Sequence, residues 1–138
     1  MIRFFKSNKP TTTDIGRYGE DVAAKHLKEK GFRILARNRH DGRNEIDIIA
    51  ENREFIVFVE VKARKATGSY TYDYGAPADA VTPAKRRRTV EAARAYLYKS
   101  KTEKAPRFDV IEVYLGDTSL TNNPAILRIE HLEDAFRE

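Results

Sequence analysis

Asn44-Glu45-Ile46-Asp47-Ile48-Ile49-Ala50, then a four-residue polar break, then Phe55-Ile56-Val57-Phe58-Val59-Glu60-Val61-Lys62, is the stretch that decides the fold. Both runs are rich in β-branched and aromatic residues, and Asn52-Arg53 supplies a tight turn between them, so they read as two strands of a hairpin. Side chains alternate across a strand. Glu45, Asp47 and Ile49 therefore share one face, and Ile46, Ile48 and Ala50 the other. On the second strand Ile56, Phe58, Glu60 and Lys62 share a face, opposite Val57, Val59 and Val61. With Asn52-Arg53 as the loop, Glu51 faces Glu54, Ile49 faces Ile56, Asp47 faces Phe58 and Glu45 faces Glu60. Asp47 and Glu60 are then diagonal neighbours about 7 Å apart, close enough to share one ion. A one-residue slip would send them to opposite faces.

Three carboxylates on so apolar a hairpin are costly to bury without partners. Lys62 offsets one charge, and a divalent cation would offset more. Oxygen-only donors favour a hard ion, Mg²⁺ or Mn²⁺. Without the pairing to Asp47, Glu60-x-Lys62 would be a surface ion pair on the wet face of an edge hairpin.

Working outward, Thr11 to Thr13 offer caps for a helix from about Asp14 to Lys30, which Gly31 stops. Its apolar stripe is Ile15, Tyr18, Val22, Ala23 and Leu27, with Gly16 and Gly19 on the same side for close backbone packing. Glu20 lies about 20° around the helix from Leu27. It either joins the carboxylates, if this helix packs on their face, or reaches out to water. Phe32 to Asn38 reads as a strand with Phe32, Ile34 and Ala36 opposed to Arg33, Leu35 and Arg37, and the region around Asp41-Gly42 as a turn. Thr67 to Pro77 is a loop carrying Tyr70, Tyr72 and Tyr74. Those rings either stack on bases or pack on their own domain. Thr82-Pro83 opens a second helix to about Lys99, with Val90, Ala93, Tyr96 and Leu97 inward. Arg107 to Leu115 and Ala125 to Glu130 are further strands, followed by a short helical tail through Phe136. The order α-β-β-β-α-β-β predicts an α/β or α+β domain with a mixed sheet and flanking helices. The expected organisation is a flexible N-terminal segment over residues 1–13 and a single domain over 14–138.

The chain has 138 residues and no cysteine, which excludes disulfides, a thiol nucleophile and Cys-ligated zinc. With three histidines, His26, His40 and His131, a histidine metal site is not expected. The longest apolar run, Phe55 to Val59, is far too short to span a membrane. The start has no apolar signal-like core, so the expected compartment is the cytoplasm. Net charge is +5, but Lys85–Arg107 carries nine basic and two acidic residues, Lys25–Arg43 seven and two, and Phe108–Glu138 two and seven. Two basic segments against an acidic tail predict one positive face suited to nucleic acid. The plain alternative is a charged surface that only keeps the protein soluble.

An acid on the first helix, an acid on the second strand and Glu-x-Lys on the third resemble the signature of the PD-(D/E)xK, or restriction-endonuclease-like, nuclease superfamily. Within it the chain resembles the bacterial YraN-like family, related to Holliday-junction resolvases. The stretches that match are Gly16-x-x-Gly19-Glu20, Gly31-Phe32 with Arg37-Asn38, Asn44 to Asp47, Phe58 to Arg64, Gly75-x-Pro77, Ala80-Val81 with Lys85, Arg107 to Asp109, and Ala135-Phe136. Ile46 stands where the superfamily's title pattern has proline.

The resemblance implies an αβββαβ core, here extended by a C-terminal strand and a short helix. It implies metal ligands at Asp47, Glu60 and the Val61 carbonyl, a catalytic lysine at Lys62, and a helix acid at Glu20 that binds the ion through water or holds a second one. The implied activity is Mg²⁺- or Mn²⁺-dependent hydrolysis of phosphodiester bonds in DNA, branched or junction DNA among them. Glu45 either supports a ligand or pairs with a basic neighbour. Lys85 at a helix N-terminus, Arg64 just past the Glu-x-Lys strand, and Arg86 are the expected phosphate contacts, with Tyr70, Tyr72 and Tyr74 as base-stacking residues. A homodimer would suit a two-fold junction substrate. A catalytically silent nucleic-acid-binding module on the same fold is the alternative, and a protein-interaction domain a more distant one.

Overall fold

Backbone hydrogen bonding in a strand leaves the two faces free, and in this chain each face of one sheet is covered by one helix. The computed structural model describes residues 12–67, 71–72, 82–118 and 124–137. The elements are α1 (Thr12–Glu29), β1 (Arg33–Asp41), β2 (Asn44–Glu51), β3 (Phe55–Thr67), β4 (Thr71–Tyr72), α2 (Pro83–Ser100), β5 (Ala105–Thr118) and β6 (Pro124–Phe136). The sheet runs β1-β2-β3-β5-β6, with β4 added beside β3. β3 and β5 pair in parallel across the α2 crossover, and the other pairs are antiparallel. This is the mixed α/β architecture that the element order predicts.

The helix ends form as their residues require. Gly31, at φ 93°, takes the left-handed conformation that stops α1, and the Phe32 N–H returns to the Leu27 carbonyl. The Thr82 hydroxyl accepts from the Lys85 N–H, and Pro83 follows in the first turn of α2. Tyr18, Val22, Ala23 and Leu27 of α1 bury Ile48, Ala50, Val57, Val59, Ile111 and Val113 on one face. On the other, Val90, Ala92 and Ala93 of α2 meet Ile46, Ile49, Ile56, Phe58, Phe108 and Val110.

Three local expectations need correction. In β1, a register shift between Ile34 and Ala36 inserts Leu35 as an extra residue, so Leu35 and Ala36 pack on the α2 face while Phe32 and Ile34 stay on the α1 face. In the hairpin, Ile49 faces Phe58 and Glu51 faces Ile56, a two-residue slip from the expected register. The cause is a turn moved along by one residue: the Asn52 N–H donates to the Phe55 carbonyl, leaving Arg53-Glu54 as the loop, and the Asn52 side-chain carbonyl accepts from the N–H groups of Glu54 and Phe55. A slip of two preserves the faces of Ile48, Ile49 and Ala50, whereas Ile46 packs with the α2-side cluster and not beside Ile48 and Ala50 as alternation predicts. Finally, the short C-terminal helix is absent. β6 continues through Phe136, which pairs with Phe108 and stacks on its ring at 5.0 Å. Good helix formers at Leu132, Glu133 and Ala135 lose here to strand pairing with β5.

Candidate functional site

Asp47 lies on β2 next to Ile48, which pairs with Val59 of β3. Its Oδ2 accepts the Val61 N–H at 2.8 Å. This bond across the strands brings Asp47 beside Glu60, whose side chain is 6% exposed. The Lys85 Nζ from the first turn of α2 bonds Glu60 Oε1, and the Lys62 Nζ stands 3.4 Å from that same oxygen. α2 therefore covers the carboxylate face. A cavity of about 190 Å³ opens there, lined by Arg43, Asn44, Glu45, Asp47, Glu60, Lys85, Arg88 and Thr89.

The electrostatics follow from this crowding. Burial, then the Glu60 carboxylate beside it, pushes the Asp47 carboxyl up to about 8, with Glu20 adding to the rise and the Val61 N–H and Lys85 opposing it. Burial lowers Lys62, and the neighbouring Lys85 adds to this against the pull of Glu60. Burial also works against the charge of Lys85, but its bond to Glu60 outweighs that and raises it. Two ammonium groups thus compete for one carboxylate oxygen, and Lys85 has the shorter contact.

Glu20 lies on α1, in the layer on the opposite side of the sheet from α2. Burial raises its carboxyl; Asn38 and Arg37 oppose the rise, and Glu45 and Asp21 add to it. Its Oε1 is 3.9 Å from the Arg37 guanidinium. Glu20 is near enough to repel Asp47, but it does not line the cavity. Glu45 is exposed, lines the cavity and pairs with His40 across the β1–β2 ladder.

The expected phosphate contacts divide. Lys85 is in the site. Arg64 is turned inward, 4% exposed, with its Nε 2.5 Å from the fully buried Glu112 Oε1. A guanidinium at that depth, beside its own carboxylate, is not presented to a ligand. Arg86 lies over the Phe136 ring at 5.4 Å and lines a separate depression with Arg87, Glu91 and Arg94. Tyr70 and Tyr74 fall outside the described residues, and the Tyr72 backbone forms part of β4. Arg43 and Arg88 line the cavity without having been expected there. Arg88 was accessible to reasoning, because position i+3 from Lys85 shares its helix face. Arg43 follows from a tight turn that starts β2 beside the site.

Among the described residues no group of three or more His, Cys, Asp or Glu side chains is arranged to hold a metal ion. The cavity offers two adjacent carboxylates. That is a donor set compatible with Mg²⁺, which keeps several waters and takes one or two carboxylates together with substrate phosphate. No helix among the described residues is long and apolar enough to cross a membrane.

The chain is 43% identical over 130 residues to a UPF0102 protein of Chlorobium chlorochromatii, covering 94% of this chain and 96% of that one. It is 41% identical over 123 residues to a UPF0102 protein of Phocaeicola vulgatus, covering 89% and 92%. Among solved structures it is similar to Pyrococcus furiosus SfsA in complex with Ca²⁺, at 14% identity and a TM-score of 0.40. That match covers 86% of this chain and 63% of the SfsA chain, and so slight a likeness says nothing about the site. The model of the family described as "Uncharacterised protein family UPF0102" matches residues 19–113, which contain Glu20, Asp47, Glu60, Lys62 and Lys85. The chain belongs to that family, the YraN-like family its motifs resemble.

Proposed function

We propose that the protein is a divalent-metal-dependent nuclease that hydrolyses phosphodiester bonds in DNA, branched or junction DNA being the substrate its family resemblance favours. One observation carries the reading: Asp47 and Glu60 stand together with Lys62 against Glu60, and the cavity that the two carboxylates line has Arg43, Lys85 and Arg88 as its cations. Two carboxylates forced together favour a divalent cation, and cations around them favour a polyanion.

Asp47, Glu60 and the Val61 carbonyl would hold Mg²⁺ or Mn²⁺. When bound, the ion polarises the scissile phosphate and acidifies a water. Arg43 and Arg88 bind the flanking phosphates and exclude an apolar ligand. Lys62 stabilises the charge that develops on the phosphate. Glu20 reaches this centre through solvent and sets its field. A homodimer would present two such cavities to a two-fold substrate.

The seat of Lys85 on Glu60 favours a second reading, a catalytically silent nucleic-acid-binding module, because it gives Glu60 a cation without any metal. Single-turnover cleavage of duplex, flap, four-way and single-stranded DNA, and of RNA, with Mg²⁺ or Mn²⁺ separates the two. The nuclease reading expects cleavage that Lys62→Ala lowers by about 10² or more. Melting should be little changed by Lys62→Ala, since the Lys62 side chain is 27% exposed. No cleavage of any substrate, with DNA binding intact, supports the silent module.

A further inference from the structure

His26 and His131 are 105 residues apart in sequence, and no motif links them. The fold brings them together on the α1 side of the sheet, opposite the carboxylate cavity. His26 Nε2 is 3.2 Å from His131 Nδ1, with ring centroids 5.3 Å apart and planes at 65°. The other nitrogen of His131, Nε2, is 2.7 Å from Asp109 Oδ2.

Asp109 is completely buried, and it also accepts from Arg107 Nε at 2.9 Å, Arg107 Nη2 at 2.8 Å and the Asp134 N–H at 3.0 Å. So many donors keep it a carboxylate, hence the proton of the neutral His131 ring lies on Nε2 and its lone pair on Nδ1. That lone pair faces His26, and Lys30 Nζ also approaches it at 3.3 Å. A ring held by a buried carboxylate, with its other nitrogen hydrogen-bonded to a second imidazole, has the arrangement of a metal-ligating histidine and its supporting acid once an ion replaces the shared proton. The spacing agrees. Two nitrogens about 2.0–2.1 Å from a tetrahedral zinc ion stand about 3.3 Å apart.

We infer that His26 Nε2 and His131 Nδ1 form a two-histidine site for a transition-metal dication of the zinc type, joining the last turn of α1 to β6. Imidazole donors select Zn²⁺, Co²⁺ or Ni²⁺ over Mg²⁺. Lys30, which is exposed, swings off Nδ1 as the ion enters. Glu133, whose Oε1 is 3.9 Å from both Lys30 Nζ and Arg107 Nη2, is the nearby carboxylate able to turn toward the ion, and water fills the remaining positions. Both rings must be neutral to bind, so affinity falls in acid.

The test is run with the carboxylates of the proposed nuclease site removed, so that binding there cannot be mistaken for binding at the histidines. Zn²⁺ is titrated into the Asp47→Asn/Glu60→Gln variant while the ring nitrogens are followed by ¹⁵N NMR, and Co²⁺ binding is followed by visible absorption. The expected result is one-to-one binding that shifts the His26 and His131 rings and leaves the exposed His40 unmoved. His26→Ala should weaken binding by at least about tenfold, as removal of even an outer support of a metal site does. Unshifted His26 and His131 rings under saturating Zn²⁺, equal shifts at His40, or undiminished binding by a folded His26→Ala protein would overturn the site. The ring shifts decide the matter even if that variant does not fold.

Discussion

A carboxylate held beside another carboxylate, and partly out of water, keeps its proton to unusually high pH. Asp47 is such a group, raised from 3.8 to about 8. Between those limits the folded protein holds a proton that the unfolded chain releases. This contribution to stability is complete below about pH 4 and is lost as pH rises through about 8. The metal-free protein should therefore melt at progressively lower temperature from pH 5 to pH 8, relative to Asp47→Asn, which has no charge to acquire. Melting curves of the two proteins at matched pH check this, and parallel profiles would contradict it. The pairing behind this effect was legible in the sequence, because alternation together with the assumed turn put Asp47 and Glu60 on one face, and the two-residue slip that the structure shows does not separate them. The placement of Lys85 and Arg64 was not. Lys85 lies against Glu60 only because α2 packs over the carboxylates. Arg64 is taken inward by Glu112, a β5 residue far away in sequence. Which cation a carboxylate takes is decided by tertiary packing, and periodicity does not report it.

Gly16 and Gly19, alike in sequence, have opposite uses in α1. A Cβ on Gly19 would come 2.7 Å from Ala63 Cβ, whereas one on Gly16 meets nothing within 4 Å. Ala63 Cβ is fixed to the β3 backbone and cannot turn away. Gly19 thus lets α1 settle directly on the strand that carries Glu60 and Lys62. Gly16→Ala should stabilise the protein by about 0.5–1 kcal/mol through helix propensity. Gly19→Ala should destabilise it by about 1–3 kcal/mol despite the same propensity gain, because the helix must move off the sheet. Ala63→Gly should recover part of that loss, and urea unfolding of the single and double variants measures the coupling. Two small residues on one helix side announced close packing in the sequence, but not which of them makes it. Elsewhere, local signals succeeded where the chain supplies its own partners: the Thr82 cap, the Gly31 stop and both apolar stripes. They failed at Leu35, where a bulge interrupts the alternation, and at residues 131–136, where a long-range partner strand overrides helix-forming composition.

At the scale of the molecule, the charge segments overstate what a nucleic acid meets. Several of their cations are already paired: Arg33 and Lys104 with Glu51, Arg37 with Asp21, and Arg107 with Asp109. Glu51 ends β2, so the Arg33 and Lys104 pairs lie toward the far end of that strand from the cavity. Arg43 and Arg88 instead line the cavity that holds the carboxylates. Each phosphate contact that releases a counterion contributes about 0.9 to the slope of log K against log salt on duplex DNA. Replacing both Arg43 and Arg88 with glutamine should therefore reduce that slope by about 2 and weaken binding to unrelated sequences about equally. Arg33→Gln with Lys104→Gln removes the same formal charge, but from surface ion pairs worth about 0–1 kcal/mol each. It should change the slope much less, since those cations lie outside the cavity. Fluorescence anisotropy with one labelled duplex from 50 to 300 mM salt compares the pairs. Equal slopes for the two double variants would mean that DNA senses net charge alone, and the cavity would lose its claim to be the place where phosphate binds.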